Sequence, residues 1–392
     1  MTLFTSPGSR LAKAHSIEDL RALAYRALPR MVFDFVDGAA EAETTARANR
    51  RALDSVAVVP DPLRDVTRRT TSVEIFGRTS RMPIIIGPTG MNSAYWPRGD
   101  IALARAAAKF GIPFVMSWGA NVSMTEIREE SAARQWFQIN LPRGQELWKP
   151  ILESVMSAGF EALEVTVDTP VPGRRLRDLH NELDLPMRWT MSKVAQMVRR
   201  PRWTYQMARQ GTPEPVNVKA AYAIAARHVN GSELTSKMSN AAPTWEDLKR
   251  VRDIWRSPLI VKGLTNPREV GAAIDAGCDG IVVSNHGGRQ LDGAVSTVAM
   301  LPEFAREARG RIALLIDSGF RCGTDVLKAL ALGATAVQIG RATVYGLAAG
   351  GQLGVERALE ILHEELDTAM ALSGVTSVAQ ARALETRNTA WN

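Results

Sequence analysis

Ile312–Arg341 reads IALLIDSGFRCGTDVLKALALGATAVQIGR, and it contains one structural unit and the start of a second. An apolar run, Ile312–Gly319, ends in Asp317-Ser318-Gly319, with Arg321 just behind it. A helical pattern, Gly323–Leu332, follows. A second apolar run, Ala336–Arg341, ends in Gly340-Arg341. Continuous apolar runs, unlike alternating ones, suit parallel strands covered on both faces. Glycine with arginine after two successive strands is the usual phosphate site of a (β/α)₈ barrel. Small residues let backbone N–H groups approach an anion, and arginine adds a bidentate clamp.

The same unit recurs upstream. Apolar runs lie at Met82–Gly90, Pro113–Trp118, Gln135–Asn140, Ala162–Asp168, Leu259–Gly263 and Gly280–Asn285. Helical stretches such as Gly99–Lys109 and Glu269–Ala276 separate them. Strands alternating with helices in this number predict an α/β fold, a closed (β/α)₈ TIM barrel. A doubly wound open sheet is the rival, but no G-x-G-x-x-G follows the first strand. Residues 16–56 read as an N-terminal helical segment punctuated by Pro29, and Val355–Met370 as a terminal helix. Between the fourth and fifth strands runs a long loop, Thr169–Pro258, of a length that is usually functional or mobile. We expect one domain over 1–392. Residues 1–75 form its helices and lead-in, 82–345 the barrel with an insertion at 173–243, and 346–392 a helix and tail.

Composition narrows the class. The chain has 392 residues, 45% hydrophobic and 23% charged, which are ordinary globular values. No apolar run reaches the roughly 18 residues that span a bilayer, and we expect no secretory signal. Two cysteines, Cys278 and Cys322, argue against a disulfide framework, a structural zinc site or an attached haem, so no metal is expected. A cytoplasmic location is the default. The net charge is +7, yet residues 188–237 alone hold nine Lys/Arg against two Asp/Glu. With no recognisable nucleic-acid motif, that concentration argues against a nucleic-acid partner.

Polar groups gather where strands end, which in a barrel is the active-site face. They are Pro88, Thr89 and Gly90; Ser117; Gln138 and Asn140; Thr166 and Asp168; Lys262; Ser284; His286 and Arg289; Asp317, Gly319 and Arg321; Gly340 and Arg341. A histidine three residues before an arginine can act as base while the arginine holds a carboxylate. Asp168 could orient that imidazole and stabilise its protonated form. A lone histidine is more often structural; Gly287, Gly288 and Asp168 favour the catalytic reading here.

SNHGGRQLDG, Ser284–Gly293, closely resembles the signature of the FMN-dependent 2-hydroxy acid oxidase and dehydrogenase family. The likeness runs from Leu28 (LPRMVFDFVDGAAE) to Gly374 and includes PTGMN, TVDTP, LIVKG and IGRATVYGLAA. Within the family, PTGMNSAYWPRGDIALARAA, RDLHNELDLPM and RPRW look like the mandelate dehydrogenase branch. The resemblance implies FMN as cofactor, His286 as catalytic base and Asp168 as its partner. It implies Arg289 and Arg175 as the substrate-carboxylate site. Lys262 would lie near flavin N1, tuning the reduced ring. Pro88, Thr89 and Gly90 would lie near N5. Ser117, Gln138, Thr166 and Ser284 would sit around the ring. Asp317, Gly319, Arg321, Gly340 and Arg341 would hold ribityl and phosphate. It also implies a homotetramer or larger ring.

Two family tyrosines are absent: Phe35 and Asn140 stand at the substrate-binding positions. A hydrogen bond to a charged group is worth about 1.5–3 kcal/mol, so their loss matters. One reading is tolerated drift; the other is an altered, bulkier substrate. Cys322 stands where a second arginine is common. The basic segment 188–237, with Trp189, Trp203 and Tyr205, fits either a membrane-surface contact on the inner face of the cytoplasmic membrane or a mobile lid. The first expectation is therefore oxidation of a 2-hydroxy acid, aromatic or bulky and mandelate-like, to the 2-oxo acid, with electrons passed to quinone or oxygen. Gly90 leans this towards a dehydrogenase. The alternative is a specialised FMN-dependent oxidase or monooxygenase on a non-standard substrate. A flavin-free phosphate-binding barrel or a membrane-surface binding protein is the third.

Overall fold

The computed structural model describes residues 10–182, 190–226 and 242–389. Eight strands close into a parallel barrel: β1 Ile84–Ile86, β2 Pro113–Met116, β3 Arg134–Ile139, β4 Ala162–Thr166, β5 Leu259–Leu264, β6 Gly280–Val283, β7 Ala313–Ile316 and β8 Ala336–Ile339. β8 returns to β1 through Val337↔Ile84 and Ile339↔Ile86, which closes the ring. Nearly every strand residue is buried, as continuous apolar runs require when side chains fill the interior and helices cover the outside. The strands are shorter than the apolar runs that announce them. The runs extend past the ladder into the loops at the barrel mouth, where β-sheet pairing ends and the polar residues begin.

The helices that matter to the site are α1 Ile17–Ala27, α2 Arg30–Asp37, α3 Thr44–Ser55, α4 Gly99–Phe110, α5 Met191–Val198, α6 Pro201–Gln210, α7 Gly323–Ala331, α8 Arg341–Gly350 and α9 Gln352–Leu372. α1 begins with a capping box: Asp19 N–H donates to Ser16 Oγ at 3.1 Å, and Ser16 N–H to the Asp19 carboxylate at 3.0 Å. Pro29 separates α1 from α2 and has no N–H to lose there. The stretch expected as a long loop, 169–258, contains helices, among them α5, α6, Val216–Ala225 and Trp245–Ile254. Of the basic segment, Trp189 and positions 188 and 227–237 lie outside the described residues.

Two small antiparallel pairs escape the sequence reading. Val73–Ile75 pairs with Arg78–Ser80 around Phe76 and Gly77, both left-handed, as a two-residue hairpin requires. Phe76 packs against Trp136, with ring centroids 5.5 Å apart, below the barrel. Val56–Val58 pairs with Thr386–Asn388, bringing the two ends of the described chain together.

Candidate functional site

The strand ends open into a cavity of about 540 Å³. Its wall carries Pro88, Thr89 and Gly90 after β1, Ser117 after β2, Gln138 from β3 and Asn140 just beyond it, and Thr166 from β4. Arg175 from the long connection, Lys262 from β5 and His286 and Arg289 after β6 join them. Asp317, Gly319 and Arg321 follow β7, and Gly340 and Arg341 follow β8; Phe35 of α2 forms part of the roof. Asp168 and Ser284, both expected at the site, do not line it: they stand behind residues that do.

His286 sits in a left-handed backbone conformation (φ 58°), with Gly287 and Gly288 following in the same region. That is a strained position for a residue with a Cβ, and such outliers cluster at functional sites. The loop is nonetheless over-determined. His286 N–H donates to Ser284 Oγ at 3.0 Å, Gly287 N–H to Ser318 Oγ at 3.0 Å, and Gly288 N–H to Asn285 Oδ1 at 3.1 Å. Gly288 has no room for a side chain: a Cβ would fall 2.7 Å from the backbone nitrogen of Ala46 in α3. The imidazole Nδ1 lies 3.1 Å from Asp168 Oδ1. Burial pushes the Asp168 carboxyl up, but the charge and hydrogen bond of His286 and the charge of Lys262 outweigh it and hold it below the usual carboxylate range. Asp168 approaches because β5 carries Gly263 (φ 110°), where a Cβ would lie 2.7 Å from the aspartate's own Cβ.

Lys262 is buried, and its ammonium donates to Ser284 Oγ at 2.9 Å and pairs with Asp317 at 2.9 Å. Burial pushes its affinity for the proton down; Asp317, Asp168 and Glu164 more than reverse that, so it stays charged. Opposite, Gln138 organises a polar wall: its amide donates to Thr166 Oγ1 and Asn140 Oδ1, both at 2.9 Å, and its carbonyl accepts from Ser117 Oγ at 3.3 Å.

The remaining wall is cationic. Arg289 donates from Nη1 to the carbonyls of Phe35 and Gly38, both at 2.8 Å, and lies 5.3 Å from the Phe35 ring centroid; Arg175 lies 5.6 Å from the same ring. Arg341 bonds the carbonyls of Val36, Gly287 and Gly38 at 3.0, 2.9 and 2.7 Å, so much of its donor capacity is spent on fastening α2 to the barrel mouth. Burial, then the charges of Arg341 and Arg175, push the Arg289 guanidinium down to about 9. Mutual repulsion of buried cations marks a site shaped for an anion. The N-terminus of α8 lies at the end of the cavity that Arg341 lines, adding partial positive charge. Asp317 is the one acidic lining residue among those described.

The sequence reading missed Tyr95, which also lines this cavity. Its signal was modest: an aromatic residue five positions beyond Gly90, in the loop after β1. No cluster suited to a metal ion occurs among the described residues.

With this geometry in hand, comparison with known proteins is informative. A family model described as FMN-dependent dehydrogenase matches residues 24–387. (S)-mandelate dehydrogenase of Pseudomonas putida is 39% identical over 93% of this chain and 91% of its own length. An L-lactate dehydrogenase of Caulobacter sp. (strain K31) is also 39% identical, over 93% of this chain and 96% of its own. Among solved structures, the monotopic membrane protein (S)-mandelate dehydrogenase superposes with a TM-score of 0.88 at 37% identity, covering 96% of this chain and all of that one. A mandelate oxidase with benzoyl-formic acid gives 0.81 at 37% identity, covering 96% and 99%.

Proposed function

Since the chain belongs to the FMN-dependent dehydrogenase family and is an FMN-dependent oxidoreductase acting on the CH–OH group of 2-hydroxy acids, we propose that it oxidises an aromatic or otherwise bulky, mandelate-like acid to its 2-oxo acid. Quinone is the proposed acceptor, and a homotetramer or larger ring the proposed assembly. The observation that carries the substrate reading is the placement of His286, backed by Asp168, in one cavity with Arg289 and Arg175.

The residues fit the cofactor. One end of the cavity has Arg321, Arg341 and the α8 N-terminus for a phosphate, with Gly319 and Gly340 leaving room for backbone N–H groups to approach it. The Ser117–Gln138–Thr166 wall offers donors and acceptors to a heteroaromatic edge, and Lys262 a fixed positive charge. Pro88, Thr89 and Gly90 would flank the ring. When bound, FMN accepts the two electrons that leave the substrate.

The chain's own part is positioning and proton handling. Arg289 and Arg175 would hold the substrate carboxylate as a fork, fixing the α-carbon relative to His286. His286 Nε2 would take the substrate proton while Nδ1 stays bonded to Asp168. The ionised Asp168 stabilises the imidazolium that results. Phe35 brings no hydroxyl to this end, and Asn140 leaves more room than a large aromatic side chain would, which supports the bulky substrate.

The same two residues favour a second reading, a specialised oxidase or monooxygenase on a non-standard substrate. Anaerobic mixing of the FMN-loaded protein with (S)-mandelate, then L-lactate, tests the first. Bleaching near 450 nm that is faster with mandelate, and reoxidation faster by a soluble quinone than by oxygen, is the expected result; no bleaching by either acid would reject it.

We further propose that the enzyme lies peripherally on the inner face of the cytoplasmic membrane through the basic segment. No helix among the described residues is long and apolar enough to cross a membrane. On α5, Met191 and Val198 are 86% and 71% exposed, and Arg199, Arg200 and Arg202 follow at once. Apolar side chains beside arginines suit an anionic lipid surface.

A further inference from the structure

Tyr95 packs its ring in the core, but its hydroxyl has no task inside the fold. It follows the short helical turn Asn92–Ala94, in the loop that leaves β1, and only 3% of it is exposed. Buried tyrosines usually spend their hydroxyl on a partner. This hydroxyl bonds to no other described residue. It is not sealed in apolar packing either, for the side chain borders both the main cavity and a smaller one beside α6. The charges that act on it most lie towards the main cavity. Arg289 comes first, followed by Asp178, Arg175 and Arg341. Three of these four line the main cavity, and none of the arginines around the smaller one is among them.

The α2 side of this corner offers no neutral donor. Phe35 presents only its ring face, stacked under Arg289 and Arg175. Arg289 has already given Nη1 to two backbone carbonyls. An anion held here receives charge from the guanidiniums, while a lone pair on its far side needs one more donor. Resting on the functional reading above, we infer that Tyr95 is a specificity-determining residue: its hydroxyl donates to the carboxylate of the bound 2-hydroxy acid, beside Arg289 and Arg175. Burial keeps the phenol protonated, so it is a donor throughout the working pH range. The hydroxyl that position 35 lacks is thus delivered from a different element, the β1 loop instead of α2. The aromatic end of the substrate is then directed towards Asn140 and away from the Tyr95 ring.

The test uses the FMN-loaded protein, with benzoylformate and pyruvate as 2-oxo acid probes and the flavin absorption change as the binding signal. Tyr95→Phe should weaken binding of the acid that perturbs the wild-type flavin by roughly ten- to a hundredfold. Flavin content and thermal midpoint should stay as in wild type, because no protein partner loses a bond. Tyr95→Leu, which also removes the ring, should show at least the same loss in whatever fraction retains flavin. Binding within about twofold of wild type in both variants would overturn the inference. If neither acid perturbs the wild-type flavin, it is the functional reading that fails; if wild type binds and the variants bind equally, only the role of Tyr95 does.

Discussion

Asn49 and Asn285 exchange both of their side-chain hydrogen bonds, amide to carbonyl at 2.9 Å in one direction and 2.8 Å in the other. One residue belongs to α3 and the other to the loop that carries His286. Asn285 also accepts from Gly288 N–H and donates to the Val295 carbonyl, so its donors and acceptor are fully used. Asn49→Ala strands a buried amide and should cost about 1–3 kcal/mol of stability, read from urea denaturation. It should also slow flavin reduction, since the turn holding the imidazole loses its outer support. A variant as stable and as fast as wild type would mean that the pair is ornamental.

Asp168→Asn keeps the shape behind His286 and removes the charge. The imidazolium formed when the substrate proton is taken then lacks its counter-ion. Stopped-flow reduction of the flavin should slow by on the order of 10²–10⁴-fold. Flavin content should be little changed, because Asp168 does not line the cavity. A reduction rate near wild type would show that His286 needs no orienting carboxylate.

Glu164 lies wholly inside the barrel, two residues before Thr166 on β4, and accepts from Gln338 Nε2 at 2.5 Å while its other oxygen has no partner. Burial pushes this carboxyl from 4.5 up to about 7, against the pull of Lys262 and of the Gln338 hydrogen bond. Between those two values the folded chain keeps a proton that the unfolded chain has released. Stability from this group is therefore present at low pH and lost as pH rises through about 7. Glu164→Gln should flatten the decline and be the more stable protein above neutrality, by on the order of 1–3 kcal/mol. Parallel stability curves from pH 5 to 8 would contradict this.

Met191→Asp with Val198→Asp places charge on the exposed face of α5 without touching the cavity. Burying two such side chains in a lipid interface is worth about 1.5–3 kcal/mol each, so co-sedimentation with phosphatidylglycerol vesicles should fall at least about tenfold. Turnover with a soluble dye as acceptor should be unchanged. Undiminished vesicle binding would exclude this helix as the contact.

The barrel was readable in the sequence because a strand buried on both faces leaves an unmistakable continuous run, and because polar residues follow it at once. The site was readable for the same reason: Lys262, His286 and Arg341 each stand at such a transition. Three-residue strands outside the barrel, with no buried run around them, are a different matter. Val56–Val58 and Thr386–Asn388 are too short to show a period, and their pairing spans nearly the whole chain. After β4, the helices α5, α6, Val216–Ala225 and Trp245–Ile254 run only eight to ten residues, so their apolar stripes are too brief to stand out as a period. Asp168 and Ser284 look like lining residues in one dimension, but the side chains that reach the cavity there belong to His286 and Lys262. Glu164 was visible as a carboxylate inside the apolar run ALEVT, and Tyr95 as an aromatic beyond Gly90. Neither could be assigned a role until its surroundings were known.

Arg341 reaches back to the carbonyls of Val36 and Gly38, some three hundred residues earlier in the chain. The α2 roof and the Arg341 end of the cavity thus come from opposite ends of the polypeptide. As the protein emerges from the ribosome, the first helices can dock on the loop after β6, but the Arg341 clamp on α2 arrives only after the last strand of the barrel. An enclosed site for the flavin accordingly forms late, once residue 341 has joined the fold. A chain interrupted before residue 341 would hold most of the lining residues and still lack an enclosed place for the cofactor.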